Sequence, residues 1–195
     1  MVNWTAMTRK QFFRTRLYFT GFATFAIASL LTWNHFNGGV PSHHVLNDET
    51  LPLISNWWGI LVIPLLTCFL TYRIQMRIFS PGNREPTKQV KKAIYGLIGA
   101  LLFGSLLAVF FSFGNMDMPG NMLFGLLPLA LFIPIFRAEY LLGFVFGMTY
   151  TFGAVLPTGI GAILVLITAG IYLLIRPGLI YVSSKLTQKV PAIKK

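Results

Sequence analysis

Acids are scarce in this chain. It has five aspartates and glutamates against 16 lysines and arginines, and charged residues make up only 11% of it. A water-soluble domain carries about 25%. With so little charge, a water-facing surface cannot be built. There is one cysteine, Cys68, so no disulfide framework exists within a single chain. The long apolar runs hold no lysine in their middles, which excludes a retinal-type Schiff base. They hold almost no ionisable group of any kind there. Proton-coupled pumps and voltage sensors keep such groups inside the membrane, so both classes are disfavoured. No HExxH, no P-loop spacing around "GNREP" and no repeat of 20–50 residues is present.

What the chain has instead is apolar length. Hydrophobic residues are 55% of its 195, and the mean hydropathy is +0.68. Runs of this kind read as membrane helices, each needing about 20 residues to cross the hydrocarbon. The pattern predicts an all-α bundle of six transmembrane helices in a single domain. The expected spans are 17–33, 57–79, 93–113, 122–136, 138–156 and 159–175. The fourth is short and carries Pro128 and Pro134, so a kink is expected there. The N-terminal "TRKQFFRTR" and the apolar stretch after it resemble a signal peptide, with Ala26-Ile27-Ala28 as a cleavage triplet. The apolar run continues to Trp33, and the segment is read as a retained first helix.

The net charge of +11 does not point to nucleic acid, because the cations are not gathered on a soluble face. They fall before the first span, in a basic loop at 80–92 and its approaches, at Arg137, and in a basic tail at 176–195. With six spans all of them lie on one side, together with Glu85 and Glu139. The positive-inside rule makes that side the cytoplasm, with both termini there. The expected location is a bacterial inner membrane. Arg137 and Glu139 are expected to form an ion pair at the cytoplasmic turn.

The opposite side receives the segment 34–56, without a single cation. It holds all three histidines, together with Asp48 and Glu49. Pro41 is compatible with the first position of a helix, and "PSHHVLNDET" reads as two to three helical turns. His43 would then meet Asn47, and His44 would meet Asp48, at i,i+4. His35 or Asp117 could close a third position. Such a set can ligate Zn²⁺ or a similar divalent ion; the bland alternative is histidines hydrogen-bonded to loop backbone or water. Trp33, Trp57 and Trp58 read as an interfacial belt. The segment is too apolar for a linker, so it is expected to fold over the bundle mouth as a lid. Asn56, Trp57, Asp117, Asn121 and Thr158 would line the vestibule beneath it.

Small residues recur at four-residue spacing: Gly96, Ala100 and Gly104 in the third span, Gly143 and Gly147 in the fifth. Such faces allow close helix packing within the chain, or pairing with a partner subunit or a second copy.

The general layout is similar to the substrate-binding components of vitamin uptake systems, which are six-helix proteins of about this size whose first outward loop closes on ligand. The small-residue pattern of their first helix is absent. The residues support three readings. One is a binding or transport component that captures a small neutral or lipophilic ligand under the 34–56 loop. Another is a metal-dependent membrane enzyme, a lipid hydrolase using His35, His43, His44 and Asp48. The third is an assembly or scaffold subunit.

Overall fold

The computed structural model describes residues 7–44, 50, 52–114 and 117–189. Helix α1 runs Arg9–Phe36, α2 Gly59–Ile78, α3 Pro86–Ser112, α4 Asp117–Leu129, α5 Ala138–Phe152, α6 Val155–Gly170 and α7 Arg176–Lys189. A π-helical stretch, Ile171–Ile175, joins α6 to α7 as one rod. Between α1 and α2 lie two short strands, β1 Ser42–His44 and β2 Leu53–Ser55, and a 3₁₀ turn, Asn56–Trp58.

Local chemistry sets several of these boundaries. The Thr8 hydroxyl accepts from the Gln11 N–H at 3.2 Å, and the Gln11 side chain accepts from the Thr8 N–H at 2.8 Å. This reciprocal capping box starts α1 before the apolar run begins. Gly38 and Gly39, both at positive φ, turn the chain after it. Pro86 opens α3, where a missing N–H costs nothing. Gly153, at φ +71° and ψ −172°, ends α5 in a conformation that is essentially restricted to glycine.

Three stretches are long and apolar enough to cross a membrane: Asn56–Ile78, Pro86–Ser112 and Val155–Tyr181. Their apolar windows are only 39%, 22% and 11% buried within the chain. Surfaces so extended and so apolar need lipid around them, and they mark a membrane protein. The expected fourth and fifth spans are shorter than the sequence reading. α4 starts earlier, at Asp117, and stops at Leu129 rather than continuing with a kink to Phe136. Pro134 has no N–H to donate to a helical carbonyl, and a residue before proline is disfavoured in helical geometry; residues 130–137 form successive turns instead. α5 has 15 residues, about 22 Å of helix.

α5 is the centre of the molecule. Leu142, Phe144, Val145 and Met148 are buried on it, joined by Ala23, Ile27 and Leu31 of α1, Ile63 of α2 and Leu107 of α3. Against α3 it packs backbone to backbone. A methyl placed on Gly104 would stand 2.7 Å from the Phe144 carbonyl oxygen, and one on Gly147 would stand 2.7 Å from the Ser105 nitrogen. One on Gly143 would stand 2.9 Å from the Leu101 nitrogen. The Gly143/Gly147 face, which the sequence leaves open to a second copy, is therefore covered by α3 of the same chain.

Contacts define the two ends. Gln75 of α2 donates to the Arg9 carbonyl at 3.3 Å, Arg77 reaches Glu139, and Phe136 meets the Tyr172 ring. The starts of α1, α3 and α5 thus share one end with the end of α2; this is the basic end. At the other end, Phe111 stacks edge-on to Phe152 at 4.7 Å, and the β1–β2 hairpin covers them.

Candidate functional site

Segment 34–56 is tied down by backbone. Asn56 N–H donates to the Pro41 carbonyl at 3.1 Å, and Gly39 N–H donates to the Asn34 carbonyl at 2.9 Å. β1 and β2 pair antiparallel, with Ser42 opposite Ser55, His43 opposite Ile54 and His44 opposite Leu53. The hairpin replaces the helix expected from Pro41. A strand at 42–44 removes the i,i+4 geometry that would have set His43 beside Asn47 and His44 beside Asp48. Asn47, Asp48 and Glu49 themselves lie outside the described residues.

The hairpin roofs a cavity of about 540 Å³. His43, His44 and Ile54 form its roof side. Leu107 and Phe111 of α3, Leu123 of α4, Phe144, Met148, Thr151 and Phe152 of α5, and the α6 residues Val155–Pro157, Gly159, Ile160 and Ile163 form the rest. Among the described residues, no carboxylate, lysine or arginine stands on this wall. His43, His44 and Thr151 are its polar members, and His43 is the one with an unmet nitrogen. The ring lies 6.3 Å from that of Phe152, and Nε2 is shielded from solvent with no hydrogen-bond partner. Burial holds the imidazole pKa below its ordinary 6.5, so His43 is neutral at pH 7. A second apolar cavity, about 280 Å³, lies between α3, α4, α5 and α6 toward Tyr140 and Thr168, and Phe144 borders both.

The predicted vestibule residues do not line either cavity. Asn56 is buried, 7% exposed, with its amide against Gly153. The Thr158 hydroxyl donates to the Ala154 carbonyl of its own helix at 2.7 Å. Trp57 is half-exposed and meets the edge of His35, ring centroids 5.9 Å apart. Asp117 and Asn121 are exposed on the first turns of α4. His35 also packs against Phe36 at 5.2 Å, away from the cavity wall. Among the described residues no three histidine, cysteine, aspartate or glutamate side chains gather as a metal site.

Glu139 does not pair with Arg137. Its two oxygens each take a terminal nitrogen of Arg77, at 2.9 Å and 2.9 Å. Arg137 caps the start of α5 in extended conformation, and Glu139, two residues on, points inward against Gly96 of α3. Side chains two apart on a helix do not face each other. Arg77, at the end of α2, had no sequence signal beyond its position in an apolar run. The cavity lining was equally silent, because Phe111, Met148 and Ile160 look like any core residue until the helices are placed.

Comparison with protein-family models, curated proteins and solved structures finds no match for this chain.

The contact of Asn56 with Gly153 fixes the hairpin to the α5–α6 corner, and Gly153→Ala is expected to loosen the whole roof. A Cβ there would lie 2.6 Å from Asn56 Cγ, on a backbone geometry that side chains avoid. The substitution should cost at least about 2 kcal/mol. Asn56→Gly added to it should recover the packing part and leave the backbone part. Thermal unfolding of both variants in detergent checks this, and an unchanged midpoint in Gly153→Ala would refute it.

Proposed function

We propose that this chain is a six-pass membrane protein that captures a small, neutral, lipophilic ligand beneath its hairpin, as the binding component of an uptake or transport process. Both termini would be cytoplasmic and the hairpin outside, in a bacterial inner membrane. The charge pattern supports this orientation, with Arg9, Arg77, Lys92 and Arg137 at one end of the bundle. Residues 117–137 can make a crossing although only part of them is helical. Irregular backbone at membrane depth is tolerated only where protein covers it, and the irregular stretch 130–137 runs to Arg137 at the basic end of the bundle.

One observation carries the ligand reading. A cavity of about 540 Å³, in the range of small-molecule sites, is walled mostly by apolar side chains, with His43, His44 and Thr151 as its polar members, and the His43 Nε2 lacks a partner. Leaving such a nitrogen buried is unfavourable. A ligand with an apolar body and one hydroxyl, carbonyl or ether oxygen would satisfy it. The apolar wall selects against charge, because nothing there would compensate an ion.

The experiment is native mass spectrometry of the detergent-purified chain, followed by thermal-shift screening of neutral lipophiles such as quinones, isoprenoid alcohols and diacylglycerols. Wild-type protein should retain or be stabilised by at least one such class. His43→Ala should weaken that binding roughly three- to tenfold, the loss of one hydrogen bond. Because the His43 pKa is lowered on folding, the neutral form holds above about pH 6.5 and is lost as pH falls through the lowered value. Retention should therefore be flat above pH 6.5 and decline on acidification, for a ligand that donates its hydrogen bond to Nε2. Stabilisation by charged solutes alone, or by none, would reject the reading.

A further inference from the structure

At the basic end a separate cavity of about 490 Å³ opens between α1 and α2, away from the hairpin. Arg9, Lys10 and Arg16 stand on its wall with Tyr72, Gln75 and Met76. Every charge on that wall is positive. The Arg16 guanidinium lies over the rings of Phe13, at 4.9 Å, and Tyr72, at 5.5 Å. Its Nε and Nη1 are shielded from solvent and have no hydrogen-bond partner. One turn further along α1, the Thr20 hydroxyl is in the same condition. Arg9 Nη2 reaches the Met76 sulfur at 3.7 Å, a weak acceptor.

No described carboxylate serves these cations. Glu85 pairs with Lys88, Glu139 with Arg77, and Asp117 lies in the first turn of α4 at the hairpin end. The site is nonetheless built, because Gln75 Nε2 ties α2 to the Arg9 carbonyl at its rim. The two aromatic rings support the guanidinium face. Three cations on one wall, with no carboxylate among them, fit the oxygens of one phosphate.

We propose that this pocket binds the phosphate of an anionic phospholipid from the leaflet at the basic end. A lipid is the favoured source of that phosphate because the α1 surface beyond Arg16 is apolar. Leu17, Tyr18, Phe22 and Phe25 are 50%, 78%, 69% and 72% exposed. The surface of α1 changes from cationic to apolar within one turn, as it should at the boundary between headgroups and acyl chains. Acyl chains could lie along those residues while the phosphate sits at Arg16. A soluble phosphorylated compound would present the same oxygens but would gain nothing from that apolar flank.

The test uses the full chain in nanodiscs of phosphatidylcholine, alone or with phosphatidylglycerol, read by native mass spectrometry of retained lipid and by thermal midpoint. Wild-type protein should retain phosphatidylglycerol in preference to phosphatidylcholine. Arg16→Gln should reduce that retention roughly tenfold, as expected for loss of charge-assisted hydrogen bonds. Arg84→Gln, the same charge change at an exposed position outside the pocket, should leave it unchanged. If Arg16→Gln fails to fold, the exposed pair Arg9→Gln/Lys10→Gln replaces it, with a smaller loss expected in the same direction. Stabilisation by inorganic phosphate in pure phosphatidylcholine, at a level matching phosphatidylglycerol, would overturn the lipid source in favour of a soluble phosphate. Equal retention of the two lipids, or equal loss in Arg16→Gln and Arg84→Gln, would overturn the site. His43→Ala should not change phosphatidylglycerol retention, so failure here and failure of the hairpin ligand are separate results.

Discussion

Glu139→Ala is expected to lower the unfolding free energy by about 3 kcal/mol, the low end of the range for breaking a buried ion pair. The carboxylate is 2% exposed, and both of its oxygens are held by Arg77. Removing it leaves a guanidinium in a site of low dielectric with no counterion. The Arg77 side chain retains 30% exposure, so headgroups and water offset part of that cost. The reverse change, Arg77→Met, should cost more, because the stranded carboxylate has almost no access to solvent. The pair Arg77→Met/Glu139→Leu should cost much less than the sum of the single changes, since it removes both charges and fills the space with apolar groups. A double-mutant cycle by denaturant unfolding in detergent measures the coupling. Additive single effects, or a Glu139→Ala cost below about 1 kcal/mol, would show that the pair does not hold α2 to α5.

This pair also shows where sequence reading reaches its limit. Long apolar runs are legible because a membrane helix must be apolar along its length. The expected spans 57–79 and 93–113 accordingly lie close to Gly59–Ile78 and within one residue of the end of Pro86–Ser112. The partner of Glu139 was not legible. Arg77 is 62 residues away, and only the antiparallel packing of α2 beside α5 brings the two together. Local signals misled at Pro41, where a residue that can open a helix instead precedes a strand. That choice was made by β2, which begins nine residues after the end of β1, through backbone pairing that leaves no mark in the composition of "SHH". Candidate polar residues were legible as a set but not as a site. Asn56 is used to lock a corner, Thr158 to bond its own helix, and His43 stands on the cavity wall with an Nε2 that has no partner.

Gly147→Leu should be as damaging as loss of the ion pair, for a different reason. Even the first carbon of a side chain at 147 would come within 2.7 Å of the Ser105 nitrogen and 3.1 Å of the Gly104 carbonyl carbon. These are backbone atoms of the facing helix and cannot rotate away. α3 would have to move from α5 along the contact that Gly96, Gly104 and Gly143 also make close. Overpacking typically costs about 1–3 kcal/mol where side chains can adjust; where only helix displacement relieves it, at least the upper end, about 3 kcal/mol, is expected. Helix propensity works the other way, since replacing glycine inside a helix is worth up to about 1 kcal/mol. Gly125→Ala isolates that term: nothing lies within 4 Å of a methyl placed there on α4. Gly125→Ala should therefore hold or raise the thermal midpoint, while Gly147→Ala lowers it and Gly147→Leu lowers it further. The α3–α5 contact forms one wall of both apolar cavities, so Gly147→Leu should also release whatever neutral ligand the wild-type chain retains. A Gly147→Leu protein with a wild-type midpoint and a retained ligand would mean that α3 and α5 do not meet at their backbones, and the cavity between them would have to be redrawn.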